Sequence, residues 1–459
     1  MFVKVIRLSF IFFLFAGLFT CHSQPPVSDA LKENIQARVA NGNNAGIVIG
    51  VIEGQGVQYY SVGVKSLKIR EPVDEHSVFE IGSITKTFTG LLLADKVLKG
   101  EMSLSDPIQK YLPEGVTAPV RNGAAITLVT LANHTSSLPR MPDNFTPANP
   151  ANPFADYTEK QLYDFLSHYT LTRDIGSQYE YSNYAVGLLG YILATQSGKS
   201  YEELMVDVIA KPLALKDTRL VLTPDMKKNL ALGHMENVEV ANWDFSTLAG
   251  AGAIRSTAVD MIRYLRFNMR QERSSLYPAM QLAHKNSRAP GSVPVVGLGW
   301  HTAVAGDLEI VWHNGGTGGY RTFIGFVKGR EKGVVVLSNA IFSVDDIGMH
   351  VLNPASPLVP IEKFRPDGKT VSIDSTVLEK HVGQYELAPA LILTITREEN
   401  QLKAQLSGQP AFPVYAKFDN VYYYKVVSAQ LTFNRNNEGK TESVTLLQGG
   451  QQLIGKRVK

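Results

Sequence analysis

The apolar positions change rhythm several times along the chain. Leu31, Ile35 and Val39 recur at helical spacing, which predicts a helix within residues 24–45 after a polar lead-in. Two Val- and Ile-rich runs follow at 46–53 and 57–63, separated by a glycine-containing turn, and read as strands. From residue 83 to 100 the period is helical again. Phe88, Leu91, Leu92 and Val97 share one face, and Gly100 is a natural stop. Residues 139–156 repeat Pro and Asn and read as a long surface loop bordering a site. Helices are expected in 184–215 and in 255–270, where Met261, Leu265 and Met269 are near helical spacing. Strands return at 308–312, 322–327 and 333–338.

Strands at both ends with helices between them predict an α+β architecture: an α/β sandwich with an antiparallel sheet and a separate helical part. Pro354, Pro357, Pro360 and Pro366 crowd ahead of Gly368 and read as a linker. Beyond it, short strands are expected at 391–396, 401–406, 421–426, 430–433, 444–447 and 453–458, forming a small antiparallel sheet or barrel. The expected division is therefore 1–23 signal peptide, 24–353 main domain, 354–375 linker and 376–459 β-rich domain.

The amino terminus supports that first boundary. Lys4 and Arg7 precede an apolar run from residue 8 to 19, too short to span a bilayer comfortably but suited to an export signal. Two processing routes stay open. Ser23 can precede an ordinary cleavage that leaves Gln24 first, or Cys21 can carry a lipid that anchors the protein to a membrane. Cys21 is the only cysteine, so the mature domain has no disulfide and no thiol nucleophile.

Composition narrows the function. The chain of 459 residues is 44% hydrophobic and 19% charged, with a formal net charge of +3. That is a globular balance with no basic run interleaved with aromatics, so a nucleic-acid partner is not expected. No His-x-x-x-His, paired cysteines or acidic cluster points to a metal, and no cofactor is expected. No Gly-x-Ser-x-Gly elbow supports an α/β-hydrolase.

Three short elements carry chemistry. In Ser83-Ile84-Thr85-Lys86 a hydroxyl and an ammonium lie one helical turn apart, which eases deprotonation of the serine. The N–H of Ser83, at a helix start, can bind an oxyanion. Read alone, the pair reads first as an N-cap and a solvated charge. In Tyr181-Ser182-Asn183 a phenol between cations can serve as general base, and the Asn183 amide can hold the lysine and a substrate amide together. Read alone, the same residues cap a helix. In His313-Asn314-Gly315-Gly316 a strand runs into glycines that let a substrate backbone lie along its edge, with the N–H of Gly316 as second oxyanion donor. The bland alternative is a turn between strands. His134 reads as structural.

In this order, the three elements resemble the class C β-lactamase family of penicillin-recognising serine hydrolases. The stretch LANHTSSLP (131–139) is similar to the family's LLxHTSGLP, and AGAGAIRSTAVDM (249–261) to its small-residue passage into a helix. The resemblance covers about residues 30–345. It implies the β-lactamase/DD-peptidase fold and a covalent acyl-enzyme. Ser83 matches the nucleophile, Lys86 the lysine that polarises it, and Tyr181 the general base and later acid. Asn183 matches the substrate-amide contact, with His313, Asn314 and Gly315 also lining the substrate. Gly316 and Ser83 match the oxyanion donors.

Two departures stand out. His313 replaces the lysine usual in the family's β-lactamases, as it often does in its DD-carboxypeptidases and esterases. Ser137 stands where glycine is usual. The implied substrates are the amide bonds of β-lactams or D-alanyl peptides, small molecules or peptides met in the periplasm or outside the cell. An esterase or D-aminopeptidase is the alternative. A non-catalytic envelope binding protein ranks third, because the serine and its lysine are both kept. A monomer is the default. The C-terminal region is similar to β-barrel domains appended to this family in some bacteria.

Overall fold

The structure is a computed structural model that describes residues 27–459 apart from 236–237, 290, 360–372, 389–390, 408, 417–418, 425–428, 437–438 and 449–450. The expected signal, Cys21, and the linker positions Pro360, Pro366 and Gly368 lie outside the described residues.

The first helix, α1 (Asp29–Ala40), begins at Ser28, whose side chain caps Leu31 N. It leads into β1 (Gly46–Glu53) and β2 (Gly56–Gly63), paired antiparallel through a tight turn. These belong to a seven-stranded sheet completed by β3 (Val295–Val296), β4 (His301–Ala305), β5 (Leu308–Gly316), β6 (Arg321–Val327) and β7 (Lys332–Ser338). The order is β2-β1-β7-β6-β5-β4-β3, antiparallel throughout.

β1 explains why its sequence is apolar without a break. Ile47, Ile49 and Val51 face one core with Leu31 and Ile35 of α1. Val48 and Ile52 face the other. A strand buried on both faces cannot alternate with polar residues. The second core holds the helical part: α2 (Thr85–Leu98), α3 (Glu159–His168), α4 (Asn183–Gln196), α5 (Ala258–Asn268) and α6 (Tyr277–His284). α7 (Asp345–Leu352) closes the first face beside α1, where the buried Arg38 reaches Asp346 at 2.5 Å and the carbonyl of Ser343 at 2.8 Å. The expected sandwich is therefore observed.

The chain beyond α7 stays attached to this body. Val359 N donates to Asp346 and Val359 O accepts from Asn34, so the stretch expected to begin a linker is tethered this far.

The C-terminal strands form a closed eight-stranded barrel from Gly383–Ala388 to Gln451–Arg457, sealed by pairing of Tyr385 with Arg457 and Glu386 with Lys456. The barrel has its own core, including Tyr385, Leu393, Leu431, Phe433 and Val444. Two strands were not expected from sequence. Gly383–Ala388 follows a short helix without a turn signal, and Phe412–Ala416 contains Pro413, which argues against a strand unless its missing N–H is harmless.

The contact that positions α2 predicts a counterintuitive result. A Cβ on Gly90, mid-helix, would lie 2.0 Å from the carbonyl oxygen of Leu298. Gly90→Ala improves helix propensity by about 1 kcal/mol, yet it should destabilise the protein by about 2 kcal/mol or more because backbone must move. Urea unfolding of both proteins tests this, and a more stable variant would contradict the packing.

Candidate active site

Ser83 does not cap the helix. It sits in a 3-10 turn, Gly82–Ile84, that feeds α2 one residue later, and no side chain caps that turn. Gly82 is left-handed at φ +52°, and a Cβ there would lie 2.7 Å from Gly316 N. Only glycine accepts both constraints cheaply. The serine turn and the end of β5 therefore touch through backbone.

Lys86 follows on the first turn of α2 and is completely buried. Its Nζ donates to Ser83 Oγ at 3.0 Å, to Asn183 Oδ1 at 2.9 Å and to the carbonyl of Ala251 at 2.6 Å. An ammonium has three protons, and here it finds three acceptors. Burial, and secondly the charge of Arg140, hold its pKa well below the usual lysine value.

Asn183 and Tyr181 arrive from the start of α4. Ser182 is the N-cap of that helix, accepting from Ala185 N at 2.9 Å and donating to the carbonyl of Pro139 at 2.6 Å. The capping role and the chemical arrangement are thus one structure: the cap fixes the two residues on either side of it. Tyr181 stacks on His134 with ring centroids 4.5 Å apart. Lys86 Nζ lies 4.9 Å and Arg140 Cζ 5.2 Å from its ring centroid. Burial pushes the phenol up to about 12, opposed by a hydrogen bond with Ser83 and by the Arg140 charge. His134 accepts from Ser182 N through Nδ1 at 3.1 Å, and burial holds it well below the usual imidazole range. It is a neutral shelf for Tyr181, in line with the structural role expected of it.

The third element is strand, not turn: β5 runs through His313, Asn314 and Gly315 to Gly316, where it was expected to end at residue 312. β4 pairs with β5 only as far as His301 opposite Trp312. Residues 313–316 are laddered to β6 on one side and have no ladder partner on the other among the described residues. That open edge is where an extended substrate can pair.

The glycines serve the fold as well as that edge. A Cβ on Gly315 would lie 2.0 Å from the carbonyl oxygen of Ile81, so this glycine is required by the serine turn rather than by a substrate backbone. Asn314 donates its amide to the half-buried Asp345 at 2.7 Å, so the side chain expected to meet substrate is turned to α7. Burial raises Asp345 to about 6. His313 is buried, with Nδ1 2.6 Å from the carbonyl oxygen of the next residue, Asn314, and Nε2 without a partner among the described residues. Burial, then His301 and Lys86, hold it well below the usual histidine range. It is a neutral group where a lysine was the alternative.

Sequence reasoning missed Arg140, the Ala251 carbonyl, Asp345 and His301. His301 meets Tyr179 Oη at 2.9 Å and lies 5.1 Å from the His313 ring. Arg140 offered a signal by its place directly after the LANHTSSLP stretch, and Ala251 by lying within AGAGAIRSTAVDM.

Comparison with known proteins decides the family. Residues 31–349 match the Beta-lactamase family, and 367–456 match a domain of unknown function, DUF3471. The chain belongs to the Beta-lactamase family. It is a serine hydrolase of the β-lactam and DD-peptidase type, and its C-terminal region is an appended domain. It is similar to the D-alanyl-D-alanine-carboxypeptidase/endopeptidase AmpH of Escherichia coli (strain K12), 32% identical over 346 residues, covering 70% of this chain and 88% of that one. It is 28% identical over 349 residues to a Beta-lactamase of the same organism, covering 68% and 89%. A solved Beta-Lactamase/D-Alanine Carboxypeptidase from Pseudomonas syringae shares the fold at TM-score 0.62 and 21% identity, covering 72% of this chain and all 100% of that one.

Within this family enzyme, the departure at Ser137 has a physical reason to be unusual. Ser137 is left-handed at φ +65°, a conformation that glycine takes more easily, and its Oγ accepts from Arg173 N at 3.1 Å. Among the described residues there is no group of three metal-ligating side chains and no helix long and apolar enough to cross a membrane.

The buried lysine gives a pH prediction. Its folded pKa lies below the unfolded value, so its charge opposes folding at neutral pH, and that penalty shrinks as pH rises toward about 10.5. Lys86→Met should lose at least about a thousandfold in activity, a typical scale for such a group. In urea unfolding at pH 7 and pH 9.5, wild type should gain stability relative to the variant at the higher pH. A fixed or falling difference would contradict the burial of this charge.

Proposed function

We propose that Ser83 is the nucleophile of an acyl-transfer cycle on β-lactam or D-alanyl amide bonds. The observation that carries it is the Lys86 ammonium shared between Ser83 Oγ and Asn183 Oδ1, with the Tyr181 ring centroid 4.9 Å from the same Nζ. The Tyr181 phenolate takes the proton of Ser83 Oγ–H as that oxygen bonds to the substrate carbonyl carbon. The oxyanion is held by the N–H groups of Ser83 and Gly316. The tetrahedral adduct collapses, the C–N bond breaks, and the Tyr181 hydroxyl protonates the leaving amine. Water then gives its proton to Tyr181 and its oxygen to the acyl carbon. Ser83 Oγ leaves and recovers the proton from Tyr181. Asn183 and the open edge at 313–316 orient the acyl donor. The family kinship with a carboxypeptidase/endopeptidase and with β-lactamases supports this substrate class.

A second reading has its own observation. His313, buried and held neutral, offers no charge to a substrate carboxylate. Esters or D-amino-acid amides, which lack that carboxylate, suit such an edge. The basic start and apolar run at residues 4–19 support export, with Cys21 as a lipid site in the variant form of that proposal. The proposed division at 24–353 and 376–459 is supported by two hydrophobic cores in the first part and a separate one in the second.

Purified protein and Ser83→Ala, assayed on a chromogenic cephalosporin, a D-alanyl-D-alanine peptide and a short-chain nitrophenyl ester, test these readings. All turnover should vanish in the variant. Turnover of the ester alone selects the second reading, and an active variant refutes the nucleophile.

A further inference from the structure

Tyr181 can act as base only if its proton is cheap to remove, yet burial works against that. The groups facing it are few. From α2 comes Lys86, 4.9 Å from the ring centroid, and Ser83 from the turn before it. From the segment after residue 132 comes His134, stacked at 4.5 Å, and from β5 His313 at 6.3 Å. Tyr179 adjoins on the same segment, and Arg140 stands 5.2 Å from the ring centroid. Both imidazoles are buried and neutral, and burial weakens the lysine's hold on its proton. A guanidinium keeps its charge at every working pH.

Arg140 is also held in place. Its carbonyl accepts from Asn183 N at 3.0 Å and from Tyr184 N at 3.3 Å, and the carbonyl of the preceding Pro139 accepts from Ser182 Oγ at 2.6 Å. Three hydrogen bonds thus sew the Pro139–Arg140 segment to the start of α4, the same start that presents Tyr181. Arg140 is itself an exposed residue.

We propose that Arg140 is the permanent cation that sustains the basicity cycle of Tyr181, acting through the phenol as an electrostatic positioning residue in a site whose β5 edge carries histidine instead of a second lysine. This rests on the base role proposed for Tyr181. Its positive charge lowers the cost of removing a proton from Tyr181 and, by the same sign, from Lys86, so the pair titrates together at lower pH than it would without it.

The test is the pH profile of kcat/KM for a nitrophenyl acetate probe in the full chain. Deprotonation of the base produces the ascending limb. Arg140→Gln should move that limb up by about one pH unit, which is about a tenfold loss at a fixed pH on the limb. Arg140→Lys should return it most of the way. In wild type, high salt should move the limb in the same upward direction, because the charge is exposed and therefore screened. A limb that keeps its position in Arg140→Gln while the rate falls evenly at all pH values overturns the proposal. If that variant fails to fold, an unchanged limb in high salt does the same. Tyr181→Phe with undiminished activity instead overturns the base assignment beneath it.

Discussion

A buried ammonium with three acceptors from three different elements sets the geometry of this enzyme. Lys86 is sealed from water, and an unpaired charge there would cost several kcal/mol. Its protons go to Ser83 on the turn before α2, to Asn183 at the start of α4, and to the Ala251 carbonyl in the passage before α5. Each bond ties one segment to the others. The cost of burial is offset only when all three are in place, so the folded state that satisfies the lysine is also the state that assembles the site.

The sheet supplies the fourth side by a different means. It brings β5 against the serine turn through glycines at both contacts, Gly82 against Gly316 and Gly315 against Ile81. The absence of Cβ atoms lets the backbones meet, and Thr322 of β6 adds a hydrogen bond from its hydroxyl to the Ile81 carbonyl at 2.9 Å. Where β4 stops, the last residues of β5 are left open on one side. Rigid backbone thus provides an edge and, in the proposed cycle, the oxyanion donors, while the caps and loops around Ser182 and Pro139 hold Tyr181 and Asn183 beside Lys86. The neutral imidazoles of His134 and His313 pack the floor without adding charge.

Much of this was legible in the chain. The helical and strand periods located β1, β2, α2, α5, β5, β6 and β7 to within a few residues, whereas β3 and β4 were not expected, being short and without a clear apolar run. The residues expected at the site, Ser83, Lys86, Tyr181, Asn183 and Gly316, do converge. What stayed hidden depends on contacts distant in sequence. The three-way sharing of Lys86 with Ala251, the turn of Asn314 toward Asp345, and the place of Arg140 over Tyr181 leave no local periodicity. The capping and catalytic readings of Tyr181-Ser182-Asn183 looked like rivals in sequence, and the structure makes them compatible: Ser182 caps the helix while Tyr181 and Asn183 on either side of it lie against Lys86. Barrel closure was equally invisible, since the strand that completes the ring pairs with the last one about seventy residues away, a separation local patterns do not report.

The most direct measurement is the identity of the residue that becomes acylated. The intact protein would be mixed with a slow-turnover penicillin or a nitrophenyl ester, quenched in acid, digested, and the adduct located by mass spectrometry. The account predicts a single acyl adduct on Ser83, absent from Lys86→Met. An adduct on any other residue, or turnover with no covalent species under conditions where an acyl-enzyme should accumulate, would contradict it.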